Sequence, residues 1–168
     1  MSERLGKRGR ASVSLALCAC ALAMAAEGRA PMFLINETPS LPKGLYLRSF
    51  ALQPQMGSIV AVAQPPSARP YLASLGVPVD MWLLKRVAAA SGDHVCAEQS
   101  GVSTPRRWAA VLERDRRGRA LPRWRDCRVL AGGELFLLGD TVTSFDSRYF
   151  GPISKGYVAG AYHQVLRW

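Results

Sequence analysis

The sequence predicts a mainly β protein with an antiparallel architecture. Three observations lead to this prediction. No helical period is sustained after the N-terminal segment, short apolar runs alternate with Gly and Pro turn signals, and neither an internal repeat nor a Gly-rich phosphate loop occurs. The chain has 168 residues, so the part that follows residue 26 has the size of a single domain with one core.

Residues 1–26 have the composition of an export signal. A basic start precedes residues 11–26, which contain no charged side chain. This apolar segment is short for a transmembrane helix, and it offers small-x-small patterns of the kind that a leader-cleaving enzyme recognises. A cleaved signal peptide and a short membrane anchor therefore both remain open. In either case we expect residues 27–168 to be exported as the functional domain.

Strands are predicted wherever a short apolar run is bounded by turn residues. The run at residues 57–63 (GSIVAVA) ends at a Gln-Pro-Pro breaker, and the run at residues 134–138 (ELFLL) ends at a Gly-Asp turn. The predicted strands are, in order, residues 44–47, 57–63, 81–89, 94–97, 134–138 and 157–166. Residues 32–35 precede them as a short strand or a segment that rests on the bilayer. Residues 67–78 are predicted as a loop with at most one helical turn, because prolines and a glycine bound them tightly.

A further hairpin is predicted in the arginine-rich region. Its arms are residues 108–114 and 119–124, and the Asp-Arg-Arg-Gly segment at residues 115–118 forms its turn. We interpret residues 97–127 as a hairpin insertion in the functional domain.

Lys85 stands inside an apolar run (MWLLKRVAAA) that is followed by a Gly-Asp turn signal. Burial of an unpaired ammonium is costly, so such a lysine has a lowered pKa and can serve as a general base near neutral pH. The alternative is that Lys85 and Arg86 lie on a half-exposed strand and reach solvent. This stretch alone does not decide between them.

Ser40 lies in a stiff segment, TPSLPKGLY, in which Pro39 and Pro42 disfavour both helix and central strand. A serine on such a bend is well presented for use as a nucleophile. Proline-rich turns that contain serine are also common in proteins without catalytic function. The segment therefore marks Ser40 as a candidate without assigning it a role.

Cys96 and Cys127 are the only cysteines of the exported part. An oxidising compartment would allow them to form a disulfide, and the alternative is two independent buried thiols. The thiols lack metal-ligand spacing, and His94 and His163, the only histidines, appear in no ligand pattern. We therefore expect neither a metal ion nor a cofactor.

The formal net charge of +10 is unevenly distributed. Nine arginines fall between Arg106 and Arg128 against three acidic residues, and four further cations belong to the N-terminal segment. For an exported chain this local excess fits attraction to anionic lipid headgroups, or a solvated face without a partner. No nucleic-acid partner is expected.

Four segments together resemble the conserved boxes of type I signal peptidases. They are TPSLPKGLY, GSIV at Gly57, LLKRVAAASGDHV, and LLGDTVTSFDSRYFGPI at residues 137–153. The resemblance is closer to the conjugative, TraF-type branch, since Leu41 follows the serine and the segment after Gly139 is short. It implies a signal-peptidase-like antiparallel β architecture with an N-terminal export or anchor helix.

The resemblance also implies a serine-lysine dyad. Ser40 matches the nucleophile and Lys85 the general base. Thr38 matches the hydroxyl residue that forms the oxyanion hole with the backbone N–H of Ser40. The remaining matches are supporting residues: Ser144, which orients the lysine, Asp146 and Arg148 of the DSR box, and Asp140 of the GD turn.

The function implied is that of a serine endopeptidase that removes signal peptides from exported precursors. The expected substrate is a conjugative pilin precursor or another precursor with a signal peptide, and whether the product is linear or cyclic stays open. The expected location is the periplasm at the inner membrane surface. The alternative is a non-catalytic, membrane-associated component of a conjugative or type IV secretion apparatus.

Overall fold

The predicted strands form at or within a few residues of the apolar runs. The computed structural model describes residues 31–50 and 53–168. These residues form eleven strands, two short α-helices and one 3-10 turn, in the order β1 Phe33–Asn36, β2 Gly44–Ser49, β3 Ile59–Val62, α1 Arg69–Ser74, β4 Leu83–Ala90, β5 His94–Ala97, β6 Gly101–Ser103, β7 Trp108–Ala110, β8 Cys127–Val129, β9 Glu134–Leu138, α2 Ser147–Phe150, β10 Ile153–Ser154, the 3-10 turn Lys155–Tyr157 and β11 Val158–Arg167.

The mainly β fold class is confirmed. The described strands pair into two antiparallel sheets, one of seven strands in the order β1-β2-β11-β3-β4-β9-β10 and one of four strands in the order β7-β6-β5-β8. The predicted export or anchor helix at residues 1–26 lies outside the described residues. Neither helix of the described part combines the length and hydropathy needed to cross a membrane.

Strands β4 and β9 are adjacent and are largely buried on both faces, which explains why their sequences are almost continuously apolar. In β9, Leu135 and Leu137 pack into one core cluster, whereas Phe136 and Leu138 pack into another with residues of the second sheet. The alternation of side chains along a strand produces this division. The strand that carries Lys85 is thereby held in the interior of the larger sheet.

The second sheet contains the arginine-rich region. Cys96 on β5 and Cys127 on β8 are opposed across the ladder and are joined by a disulfide with a sequence separation of 31. The bond links the two ends of residues 97–127, whose interpretation as an insertion stays a prediction.

The hairpin predicted with arms at residues 108–114 and 119–124 forms only near its turn. There Asp115 donates its backbone N–H to the carbonyl of Arg119 and Leu121 donates to that of Glu113, on either side of the Arg114–Ala120 bridge. The start of the first arm, Trp108–Ala110, pairs with β6 instead. The Asp-Arg-Arg-Gly turn does form, since the carboxylate of Asp115 accepts backbone N–H groups that follow it. Pro122 lacks an N–H and cannot extend a ladder beyond that turn.

Candidate active site

Ser40 lies in the loop that connects β1 to β2, between Pro39 and Pro42. Its side chain is 6% exposed, and its Oγ lies 2.7 Å from the Oγ1 of Thr38. Thr38 donates its hydroxyl proton to the Oδ1 of Asn36 at 2.8 Å. Because a hydroxyl has one proton, Ser40 is the donor in its bond with Thr38. The hydroxyl of Ser40 is therefore held in one orientation by a chain of two hydrogen bonds.

Asn36, the last residue of β1, holds this loop in shape and was missed by the sequence analysis. It is 5% exposed, and its Nδ2 donates to the backbone carbonyls of Thr38 at 2.9 Å, Leu41 at 2.9 Å and Pro42 at 3.2 Å. Its Oδ1 also accepts from the backbone N–H of Thr38 at 3.3 Å. The available signal was an asparagine two residues before a Thr-Pro step, where its side chain can bond the backbone of a turn.

Lys85 lies on β4 and is 5% exposed. Its Nζ donates to the backbone carbonyl of Leu84 at 3.0 Å. Burial lowers the pKa of the Lys85 amine from its ordinary value of 10.5 to about 8, against the opposing field of the Asp146 carboxylate and with a smaller contribution from the Arg148 cation. A substantial fraction of the amine is therefore neutral at mildly alkaline pH.

Ser40 and Lys85 line one cavity of about 540 Å³, which Thr38 and Asn36 also line. The other walls are mostly apolar and include Leu34, Trp82, Leu83 and Leu84. Among the hydrogen bonds of the described residues, none joins the Nζ of Lys85 to the Oγ of Ser40. The fold thus brings a hydroxyl and a buried amine to the wall of the same cleft.

Because Gly139 has no side chain, the side chain of Ser144 can lie against the Ser40 loop. A Cβ at Gly139 would lie 2.1 Å from the Oγ of Ser144 and 2.9 Å from the carbonyl oxygen of Ser40, so no larger residue fits. The carbonyl of Ser40 accepts the backbone N–H of Asp140 at 2.6 Å. Asp140 itself forms a bidentate ion pair with Arg86, which is consistent with a structural role.

Ser144 is 3% exposed, and its Oγ has no hydrogen-bond partner among the described residues. An orphaned buried hydroxyl is unusual, since almost all buried polar atoms in proteins have a partner. The predicted contact that orients Lys85 is therefore not made in this geometry. The free hydroxyl is nevertheless close to the loop that carries Ser40.

Asp146 and Arg148 form a buried ion pair next to this serine. Their side chains are 0% and 2% exposed, and Arg148 donates Nε and Nη2 to the two carboxylate oxygens at 2.8 Å each. Asp146 also accepts the backbone N–H of Gly139 at 2.8 Å and caps α2. Arg148 donates its remaining protons to carbonyls, including that of Ser144 at 3.0 Å. The pair therefore fixes the backbone behind the site.

The predicted site residues thus fall into two adjoining groups. Thr38, Ser40 and Lys85 line the cavity, while Ser144, Asp146 and Arg148 form a cluster that meets the Ser40 loop at Gly139–Asp140. No group of three or more His, Cys, Asp or Glu side chains with the arrangement of a metal site occurs in the described part of the chain. The arrangement offers a hydroxyl nucleophile and an amine base.

The chain is similar to known proteins over most of its length. Residues 7–168 match the family described as signal peptidase, peptidase S26. A plasmid transfer protein TraF of Escherichia coli is 35% identical over 149 residues, and the match covers 80% of this chain and 82% of the relative. A conjugal transfer protein TraF of Agrobacterium fabrum is 34% identical over 151 residues, with the same 80% and 82% coverage.

Solved structures are similar as well, and one of them is a signal peptidase I. The crystal structure of a signal peptidase I from Enterococcus faecalis V583 is 21% identical and has a TM-score of 0.41, covering 66% of this chain and 97% of that chain. The family match and the two transfer-protein relatives each cover most of the chain.

Proposed function

Because the chain belongs to the signal peptidase S26 family, in its TraF-type branch, we propose that it is a serine endopeptidase with a catalytic dyad of Ser40 and Lys85. The observation that carries this proposal is the burial of both side chains on the wall of one cavity. The lowered pKa of Lys85 supports it, since a base must lose its proton near the working pH.

In the proposed reaction, the Ser40 hydroxyl first turns its proton from Thr38 to neutral Lys85, which takes the proton as the Oγ attacks the carbonyl carbon of the scissile bond. The amine proton then passes to the leaving nitrogen as the peptide C–N bond breaks, which leaves an ester at Ser40. Lys85 next deprotonates the water that attacks this ester. The ester bond breaks, and the serine hydroxyl regains a proton from Lys85.

The backbone N–H of Ser40 and the hydroxyl of Thr38 are the proposed oxyanion donors. The Thr38 proton is directed to Asn36 in the resting geometry, so it must rotate toward the oxyanion as the Ser40 proton leaves. Each donor of this kind contributes roughly 3 kcal/mol to stabilisation of the transition state. Thr38 therefore serves first as the acceptor that holds Ser40 and then as a donor.

The proposed substrates are exported precursors with signal peptides, and a conjugative pilin subunit in particular. The names of the two relatives, plasmid transfer and conjugal transfer protein, favour a precursor from a transfer system. We place the reaction on the periplasmic side of the inner membrane, with small residues at the first and third positions before the bond. Attack on the ester by an amine of the product would give a cyclic chain instead of a linear one.

The test is coexpression with the pilin precursor of the same transfer system, followed by intact-mass measurement of the pilin. The wild type should remove the leader, whereas Ser40→Ala and Lys85→Ala should each leave the precursor intact while still accumulating as folded protein. Ser100→Ala and Lys155→Ala change the same residue types at exposed positions and should retain processing. Processing by the Ser40→Ala variant would refute the dyad, and a further loss of one water mass would indicate cyclisation.

A further inference from the structure

A second cavity, of about 360 Å³, is lined by Pro39 of the Ser40 loop. We call it the aromatic pocket and define it by Pro39, Tyr71, Leu112, Phe145 and Tyr149. Four separate segments supply these residues: the β1–β2 loop, α1, the chain after β7, and the segment that leads into and includes α2. None of these side chains has a role in the dyad.

The lining of the aromatic pocket is mostly apolar. The ring of Phe145 lies 4.5 Å from that of Tyr71 and stacks at 5.5 Å on that of Tyr149, measured between centroids. The Tyr71 hydroxyl donates to Asp115 at 3.1 Å, and the Tyr149 hydroxyl accepts the backbone N–H of Leu112 at 3.1 Å. Because the polar ends of both tyrosines are satisfied, the pocket offers ring and aliphatic surface to a ligand.

The aromatic pocket adjoins the Ser40 loop. Pro39, which precedes Ser40, and Ser144 both line it, and the Ser40 carbonyl and Ser144 are neighbours at Gly139. Ser40 itself lines the Lys85 cavity, so residues of one loop contribute to both cavities. A peptide that occupies the Lys85 cavity with its bond at Ser40 would meet the aromatic pocket at Pro39, the residue that precedes the nucleophile.

The rim of the aromatic pocket is cationic. Arg116 and Arg117 line it with exposed side chains, and neither side chain has a hydrogen bond or ion pair with another described residue. Asp115, which also lines the pocket, does not compensate them, because its carboxylate accepts hydrogen bonds from Tyr71 and two backbone N–H groups and is ion-paired with Arg119 at 3.6 Å. Two guanidinium groups are thus available to an anionic ligand.

The positive charge of the rim indicates whether the pocket binds the part of a precursor before the cleaved bond or the part after it. Leader peptides are basic and then apolar, so they carry no carboxylate near the cleavage site that would pair with the arginines. Acidic residues after the bond have no such restriction. An apolar side chain with an adjacent carboxylate, both from the mature part of the precursor, complements the pocket and its rim.

We infer that the aromatic pocket binds the first residues of the mature segment, taking an apolar side chain while Arg116 and Arg117 hold an acidic residue beside it. This inference rests on the proposed peptidase function and extends it to a specificity determinant beyond the cleaved bond. It makes the acidic and apolar character of the mature N-terminus a requirement for tight binding.

The test measures binding of labelled peptides by fluorescence anisotropy to the full-length chain with Ser40→Ala, so that no turnover occurs. The peptides share an Ala-x-Ala sequence before the bond and differ only after it, with Leu-Asp, Leu-Asn, Leu-Lys or Ser-Asp. We expect Leu-Asp to bind about fivefold more tightly than Leu-Asn, and more tightly still than Leu-Lys. Ser-Asp should bind about tenfold more weakly than Leu-Asp.

Rim variants in the same background assign the effect to the two arginines. Arg116→Ala with Arg117→Ala should abolish the preference for Asp, and Arg116→Glu with Arg117→Glu should reverse it in favour of Leu-Lys. The double variant Arg106→Ala with Arg125→Ala removes the same charge at exposed positions outside the aromatic pocket and should keep the preference.

Equal affinities for the four peptides would overturn the inference. It would also be overturned if the rim variants lost binding to vesicles that contain phosphatidylglycerol while the peptide preference stayed the same, since the arginines would then serve a lipid surface. Binding does not depend on turnover. A preference that follows Arg116 and Arg117 establishes the binding specificity independently of turnover, absence of cleavage by the wild type refutes the proposed function, and cleavage without any preference refutes the inference alone.

Discussion

Replacing Lys85 with methionine should stabilise the folded chain at neutral pH while it removes the proposed base. Burial lowers the pKa of this amine from 10.5 to about 8, and unfolding restores the ordinary value. Between about pH 8 and 10.5 the unfolded chain therefore binds more protons, so wild-type stability rises with pH. At roughly 1.4 kcal/mol per pKa unit, the buried cation costs about 3 kcal/mol at pH 7. Methionine has similar length and no charge.

The measurement is urea unfolding of the wild type and of Lys85→Met at pH 7 and pH 10. The free energy of unfolding of the variant relative to the wild type should fall by about 2 kcal/mol between these pH values, because the wild type loses its charge penalty. The lost hydrogen bond to Leu84 does not contribute to this change, since the neutral amine also donates. Lys155→Met is the exposed control. A stability difference that does not vary with pH would refute the account of a buried, titrating amine.

Three other substitutions test interactions that stabilise the site or the fold. Asn36→Ala should lower stability by about 2 kcal/mol and slow precursor cleavage, because the loop loses the donor of three carbonyls; unchanged cleavage in a timed mass assay would contradict its positioning role. Arg148→Met should cost roughly 3 to 5 kcal/mol in urea unfolding, since it leaves the Asp146 carboxylate buried without its partner; a cost below 1 kcal/mol, as for an exposed arginine, would contradict this. Replacing Cys96 and Cys127 together with serine should lower the stability by about 3 kcal/mol, and alkylation of both thiols in unreduced wild type would contradict the bond.

Much of the fold was accessible from the sequence because short apolar runs between Gly and Pro signals specify strands locally. The strand predicted at residues 134–138 was found with the same bounds, and the one at residues 81–89 differs by a few residues. The hairpin predicted at residues 108–124, which forms only near its turn, shows the limit of this approach. The turn at Asp115 was predicted correctly from the local sequence. Which strands pair depends on residues that are distant in the sequence, and β7 pairs with β6.

The sequence alone determined which side chains to examine, since a lysine in an apolar run and a serine between prolines are local anomalies. It could not determine that Ser40 and Lys85 line one cavity, because strand order in a sheet arises from long-range pairing. Nor could it show that Asn36 holds the Ser40 loop in shape, because this role depends on hydrogen bonds from its side chain to three backbone carbonyls. Only the tertiary structure decides burial, and burial sets the pKa of Lys85.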